Sequence, residues 1–247
     1  MNLIRNIFGK ERKLSKATDI PVTTDIHSHL VPGIDDGSES MEESISLIKA
    51  LQQMGYKKII TTPHIMGDFY KNTSTIIREG YAALKEEISK QQIDIELEVA
   101  CEYYIDDHFM NLIEKDDILS FGKRYVLVES NTINYTEIVR KAFFNLGIAG
   151  YQPVFAHPER YYYLWKDFNR YHEFHDMGIY FQLNIVSLAG YYSSTVKGIA
   201  EKLIDARLVD FIGSDLHEMR YADAMMAARF SPYMNKLKDL NLLNNTL

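Results

Sequence analysis

A chain of 247 residues, 46% hydrophobic and 25% charged, has the composition of a globular protein and room for one large α/β domain. Its net charge of −7 argues against nucleic acid as a partner, because phosphate binding calls for a basic face. A single cysteine, Cys101, excludes an internal disulfide framework, and no apolar run approaches the roughly 20 residues of a membrane span, so the expected location is cytoplasmic.

Residues 1–20 read as a basic extension preceding a single domain over 21–247. Arg5, Lys10, Arg12, Lys13 and Lys16 accompany Leu3, Ile4, Ile7, Phe8 and Leu14, and Ile4, Ile7 and Phe8 fall at helical spacing. A basic amphipathic segment over 1–18 suits contact with an anionic membrane surface or a partner protein; the alternative is a terminal helix packed on the domain, or a frayed tail. It lacks the continuous apolar stretch of a secretory signal.

From Pro21 onward, short apolar runs alternate with helical segments. The first strand ends at His29, and Val31 to Gly37 must be a loop, since it holds Pro32, two glycines and paired aspartates. Ser40-Met41-Glu42-Glu43 is a capping box opening a helix that buries Ile45, Ile48 and Leu51 and stops at Gly55. A second strand, Lys57 to Thr62, is broken by Pro63 and followed by His64. After a helix over Thr75 to Lys90, the third strand runs from Ile93 to Ala100 and the fourth from Arg124 to Val128. Glu102 and Glu129 follow them.

Thr136 caps a helix through Leu146, and the fifth strand, Pro153 to Ala156, leads into His157. A helix near Phe168 to Met177 precedes the sixth strand, Ile179 to Leu183, with Asn184 after it. A helix over Ser194 to Ala206 precedes the seventh, Leu208 to Gly213, with Asp215 and His217 just beyond. A last helix covers Ala222 to Leu240.

The unit strand, ligand-capable residue, helix therefore recurs about seven times. Alternating strands and helices imply parallel β-α-β units, and seven in one domain favour a closed, TIM-like barrel over an open sheet. In such barrels the C-terminal strand ends meet at one face and carry the site. The residues there are His27, His29, Asp36 or its neighbour Asp35, His64, Glu102, Glu129, His157, Asp215 and His217. Imidazoles and carboxylates without thiolates suit Mn, Fe or Zn, and nine ligands imply two or three ions sharing carboxylates. Such a cluster activates water and orients a phosphoryl group. Arg160 and Arg220, each three residues after a histidine of the set, have the fork geometry for phosphate oxygens. Tyr103, Tyr104, Tyr161 to Tyr163, Tyr191 and Tyr192 crowd the same loops, either walling an aromatic substrate or packing above the barrel mouth. His108, His172 and His175 fall away from strand ends and read as non-ligands. Cys101 has Asp107, not an arginine, six positions on, so a cysteine-phosphatase loop is not formed.

Taken in order, Asp25-Ile26-His27-Ser28-His29, Asp35-Asp36-Gly37, Thr62-Pro63-His64, Glu102-Tyr103-Tyr104, Glu129, Ala156-His157-Pro158-Glu159-Arg160-Tyr161 and Gly213-Ser214-Asp215-Leu216-His217 resemble the PHP (polymerase and histidinol phosphatase) domain. More narrowly, the chain resembles the bacterial PHP-type protein tyrosine phosphatases of capsule and exopolysaccharide synthesis. The resemblance implies a distorted (β/α)7 barrel and a trinuclear site working with Mn²⁺. One ion would be held by His27, His29, Glu102 and Asp215, a second by Glu102, Glu129 and His157, and a third by Asp36, His64 and His217. Arg160 and Arg220 would act on the phosphate, with Tyr161 beside the substrate. The implied reaction is phosphotyrosine hydrolysis by metal-bound hydroxide. The implied substrate is a membrane-bound tyrosine autokinase of polysaccharide export. The alternative within the resemblance is a phosphoesterase for a small monoester such as histidinol phosphate. The basic extension is additional to the family pattern.

Overall fold

The computed structural model describes residues 17–247, so the amphipathic set between Leu3 and Leu14 lies outside the described residues. The first turn of the chain is short and polar: β1 (Thr24–Asp25) leads through the His27 to Gly37 segment into α1 (Met41–Gln53). Then come β2 (Lys58–Thr61), β3 (His64–Ile65), α2 (Ser74–Lys90), β4 (Glu96–Val99), β5 (Glu102–Tyr104) and α3 (Asp107–Glu114). The second half holds β6 (Tyr125–Glu129), α4 (Glu137–Ile148), β7 (Gln152–Ala156), α5 (Tyr162–Trp165), α6 (Asn169–Asp176) and β8 (Tyr180–Asn184). The chain closes with α7 (Ser194–Asp205), β9 (Phe211–Gly213), α8 (Met219–Ala228) and α9 (Tyr233–Leu237).

All strand pairs are parallel, in the orders β1-β2-β4 and β3-β5-β6-β7-β8-β9. β2 and β3 are two halves of one stave, interrupted where Pro63 cannot donate to a ladder. β4 and β5 are likewise one stave interrupted at Ala100-Cys101, so the described strands form seven staves, as the sequence pattern implied. The ring closes between the first and last: Asp215 N–H donates to His27 O at 2.8 Å, His29 N–H donates to Leu216 O at 2.9 Å, and Ser28 bridges Leu216. This is the distorted (β/α)7 barrel expected.

Lower down the seam, β1 and β9 are joined by one side chain. Buried Asn244 accepts from Ile212 N–H (3.0 Å) and donates to Ile212 O (2.8 Å) and Thr24 O (3.0 Å). Replacing it strands three buried backbone groups, at about 1–3 kcal/mol for each. Asn244→Leu is expected to lower the urea midpoint with an unchanged slope, corresponding to a loss of at least about 3 kcal/mol.

Alternation along the strands sorts the core into two layers. Val126, Val128 and Phe155 face the helices, among Ile45, Ile48, Leu51 and the apolar faces of α4 and α7. Leu127, Val154, Ala156 and Phe211 face the barrel interior with Ile26 and Ile60. The same inward register continues into polar groups at the C-terminal ends: Leu127 gives way to Glu129, Tyr180 to Gln182 and Asn184, and Phe211 to Asp215. The interior is therefore apolar at its base and ligand-rich at its mouth.

Local departures from the expected elements have simple causes. Ser40 caps α1 by accepting from Glu43 N–H at 3.2 Å, but the Glu43 carboxylate reaches Glu39 N–H, not Ser40. Thr136 stands at the cap of α4 without a side-chain bond, and the helix runs past Gly147 to Ile148. The last helix is split into α8 and α9 because Pro232 cannot continue the ladder. α3 was not expected from sequence: Asp106 caps it through Phe109 N–H (2.8 Å), and Phe109, Met110 and Ile113 form its buried face.

Candidate metal centre

Each strand end delivers its side chain to one point. Parallel pairing sets His64 beside Glu102 and Tyr104 beside Glu129. His157 stands immediately after β7 and Asp215 two residues after β9, both in the left-handed region, at φ 35° and 52°. For a histidine that conformation costs on the order of 1–3 kcal/mol and persists where the surroundings fix it, commonly at functional sites. Two glycines let other segments approach. A Cβ at Gly37 would lie 2.2 Å from His29 O, and one at Gly213 would lie 2.7 Å from His27 Cβ and 2.6 Å from Gln182 Nε2. The tripeptide Asp35-Asp36-Gly37 can thus fold directly under His29.

Three histidines share one arrangement. His27 Nδ1–H donates to Gln182 Oε1 (2.7 Å), His29 Nδ1–H to Asp35 Oδ2 (2.9 Å), and His217 Nδ1–H to Asp215 O (2.8 Å). The outward bond fixes the tautomer and leaves each Nε2 lone pair aimed inward, the usual support for a metal-ligating imidazole. His27 Nε2 then lies 3.0 Å from Glu102 Oε2 and 3.2 Å from Asp215 Oδ1. His29 Nε2 lies 3.3 and 3.7 Å from the same two oxygens, and His217 Nε2 lies 3.5 Å from Asp36 Oδ1. A lone pair facing a carboxylate oxygen is repulsive unless a proton or a metal cation lies between them. Ligands bound at about 2.0–2.2 Å around one ion sit roughly 3–3.5 Å apart, which is the spacing seen.

The donors fall into three groups, each with its ligand atoms within 4.8 Å of one another: His27, His29, Glu102 and Asp215; His64, Glu102 and Glu129; and His29, Asp36, His64 and His217. The first matches the expected set member for member. In the second, His64 takes the place expected of His157, whose Nε2 is nevertheless 3.1 Å from Glu102 Oε1 and 3.8 Å from Glu129 Oε2. His64 has one nitrogen toward each neighbouring group: Nε2 is 3.5 Å from Asp36, and Nδ1 is 3.5 and 3.6 Å from Glu102 and Glu129. His29 Nε2 and His64 Nδ1 are buried with no hydrogen-bond partner, so both retain a free ligand position. The residues present fit divalent cations.

Electrostatics point the same way. Burial and the charge of Glu102 push the Glu129 carboxyl well above its usual range. Burial opposes ionisation of Glu102 and Asp215 too, yet His27 beside them holds both well below the carboxylate range. Burial lowers His29, but Asp35 and then Glu102 overcome it and raise it to about 10. Burial, with Arg160 nearby, lowers His157 to about 4, and burial with His29 does the same to His64, leaving both neutral and able to ligate. Without cations the cluster is held by protons shared among crowded carboxylates. Divalent ions replace those protons.

The two loop aspartates have different places. Asp35 is buried and spent on His29 Nδ1, Gly37 N–H and His64 N–H (2.9, 3.0 and 2.9 Å). Asp36 is half-exposed and is the one that joins the donor groups. Arg160 donates to Asp215 Oδ2 at 3.2 Å and lies over the Tyr192 ring at 4.7 Å, with part of its guanidinium open to the cavity. Arg220 is absent from the cavity lining; it is exposed and held by Glu218. Tyr161 is buried, stacked on Phe155 at 4.4 Å, and its hydroxyl accepts from Ser130 N–H. It supports the His157 loop from beneath and does not face the mouth. Cys101 is fully buried and burial pushes its thiol up, so it offers no nucleophile.

Sequence reasoning missed the residues that orient the ligands. Gln182 holds His27 and donates to Asn184 Oδ1, while Asn184 and Tyr192 both donate to Asp215 Oδ2, at 2.7 and 2.9 Å. Polar residues at 182 and 184, inward-facing in an apolar strand, were the available signal. The cavity above the donors measures about 220 Å³ and is walled by Met66, Tyr70 and Tyr221, with Tyr70 stacked on His64 and Tyr221 on His217.

A family model described as capsular polysaccharide synthesis, CpsB/CapC, matches residues 23–238. The chain belongs to the CpsB/CapC family. It is 29% identical over 197 residues to the tyrosine-protein phosphatase YwqE of Bacillus subtilis, covering 79% of this chain and 78% of that protein. It is 27% identical over 212 residues to the tyrosine-protein phosphatase CpsB of Streptococcus agalactiae, covering 83% and 87%. A chain from the crystal structures of YwqE from Bacillus subtilis and CpsB from Streptococcus pneumoniae, described as unique metal-dependent tyrosine phosphatases, superposes with a TM-score of 0.78 at 26% identity over 90% of both chains. The CpsB/CapC fold and the narrower of the two resemblances drawn from the motifs are thereby borne out.

Proposed function

We propose that this protein is a metal-dependent phosphatase that hydrolyses phosphotyrosine in a protein of capsule or exopolysaccharide synthesis. The observation that carries this is the convergence of three cation-binding donor groups and the Arg160 guanidinium on one small, aromatic-walled cavity. The named activities of YwqE and CpsB support it.

Two or three divalent ions, Mn²⁺ first and Fe or Zn as alternatives, would be held by His27, His29, Glu102 and Asp215; by Glu102, Glu129 and His157, with His64 adjoining; and by Asp36, His64 and His217. Bound there, such ions lower the pKa of coordinated water and neutralise phosphoryl oxygens. Arg160 binds phosphate, kept in place by Asp215 on one side and the Tyr192 ring on the other. Tyr70 and Tyr221 flank the substrate ring. Arg220, tied to Glu218 outside the cavity, is given no part in the chemistry. The proposed substrate is a membrane-bound tyrosine kinase of polysaccharide export, met on the cytoplasmic side. The basic residues 1–18 are proposed to contact the membrane or that partner. Among the described residues, no helix is long and apolar enough to cross a membrane.

The deciding assay measures phosphate release from a phosphotyrosine peptide and from histidinol phosphate after chelation and Mn²⁺ add-back. The expected result is metal-dependent turnover of the peptide and little of histidinol phosphate; no release with Mn²⁺ would sink the proposal. In the same assay Cys101→Ser is expected to keep activity within about twofold, since a buried thiol of raised pKa is not the attacking group.

A further inference from the structure

The cavity is too small for more than a phosphorylated side chain, at about 220 Å³ against the 300–1,000 Å³ of ordinary ligand pockets. The rest of a protein substrate must therefore cross the rim. One part of that rim is built in an unusual way. After His64 the chain makes a tight hairpin in which Met66 bridges Tyr70, with Met66 N–H donating to Tyr70 O (2.9 Å) and Phe69 N–H to Met66 O (3.2 Å). Met66 and Tyr70, the two arms, line the cavity. Phe69, next to Tyr70, is 74% exposed, more than any other large apolar residue described.

This exposure is imposed by the fold. Gly67 N–H donates to Asp106 Oδ2 (2.9 Å), the same carboxylate that caps α3, and a Cβ at Gly67 would meet His108 Cβ at 2.9 Å. The hairpin is thus pinned to α3 on one side and stacked on His64 through Tyr70 on the other. A benzyl group held in water on a pinned turn, next in sequence to a cavity-lining residue, is placed to cover an apolar group, and the backbone beneath it is already ordered. Two further apolar side chains stand in loops that follow strand C-terminal ends and so belong to the same face: Ile133 after β6 (63% exposed) and Tyr191 after β8 (36%).

We infer that Phe69 is a specificity-determining residue, and that the rim it dominates selects phosphotyrosyl segments carrying an apolar side chain close to the phosphotyrosine. The inference rests on the phosphatase reading above and adds to it the local chemistry of the substrate. The ester is held by the donors and Arg160 inside the cavity; the flanking residue packs on the Phe69 ring outside it. A small aryl phosphate has no flanking residue and does not use the rim.

The test compares Mn²⁺-loaded wild type with Phe69→Ala and Phe69→Leu on three substrates. These are p-nitrophenyl phosphate, a phosphotyrosine peptide flanked by leucines, and the same peptide flanked by serines. Wild type is expected to favour the leucine-flanked peptide by about tenfold or more in kcat/KM, the scale of one well-packed apolar contact. Phe69→Ala should erase that preference through KM, Phe69→Leu should keep part of it, and p-nitrophenyl phosphate turnover should stay within about twofold throughout. Equal wild-type rates on the two peptides, a preference that survives Phe69→Ala, or an equal loss on all three substrates would each overturn the role of Phe69 while leaving the phosphatase reading intact. No turnover of any substrate would overturn the phosphatase reading and the rim with it.

Discussion

Glu102→Gln is expected to reduce turnover by at least about 100-fold and to leave the protein with a substoichiometric metal content. Glu102 is fully buried and belongs to two of the three donor groups, one oxygen facing His27 and His29 and the other facing His157. It is the single side chain through which neighbouring ions would be tied together. Gln keeps the volume but removes the charge and turns half of the head group into a donor, which cannot ligate. Losses of 10–100-fold follow even from disturbing groups behind the ligands, so removing a shared ligand exceeds that range. The variant should still fold, because Gln keeps the side-chain volume and removes the neighbouring charge that, after burial, raises the Glu129 carboxyl. Metal content by mass spectrometry, turnover, and the thermal midpoint of the metal-free protein measure the three effects separately. Full metal stoichiometry with undiminished turnover would remove Glu102 from this position.

Most of the donor positions were legible because they end recognisable apolar runs. Leu127 to Glu129, or Ile212 to Asp215, is a run whose apolar residues enter the core and which ends on a carboxylate at the barrel mouth, and the recurrence of a polar group after each of the seven staves points to both barrel and site. What was not legible depends on angles that sequence does not carry. Asp35 and Asp36 are chemically equal neighbours, and only the close approach of Gly37 to His29 assigns one to holding the ring and the other to the cavity. Tyr161 follows Arg160, but the 3-10 turn Pro158–Arg160 sends the tyrosine inward onto Phe155. Arg220 keeps the spacing of Arg160 from its histidine, yet it lies in the first turn of α8, where Glu218 holds it outside the cavity. Gln182 and Asn184 carry no charge, and a neutral amide in a strand reads as packing until its partner, His27 or Asp215, is known.

Removing metal is expected to lower the thermal midpoint by roughly 5–10 °C at pH 8 and by less at pH 6. A ligand at 100 times its Kd stabilises a fold by about 2.7 kcal/mol, and in a domain of this size each kcal/mol moves the midpoint by about 2–4 °C. The pH sign follows from the groups that must give up protons. Without metal, His29 is raised from 6.5 to about 10 by Asp35 and Glu102 despite its burial, and His27 is raised well above its ordinary value by Glu102 and Asp215, also against burial. Stability from such raised groups is complete below 6.5 and is lost as pH climbs toward the folded values, so the metal-free protein weakens through that window. Glu129, raised by burial and by Glu102, adds to the same trend from its ordinary 4.5 upward. Cation binding displaces these protons, so affinity and the stabilisation it brings increase with pH over the interval in which the metal-free protein loses stability. Thermal melts with chelator and with added Mn²⁺ at pH 6, 7 and 8 test this without any activity measurement, and proton uptake or release in weak buffer gives the sign independently. A midpoint indifferent to chelator, or a metal-dependent gain that shrinks as pH rises, would show that the histidine and carboxylate cluster is held by its own protons and not by cations.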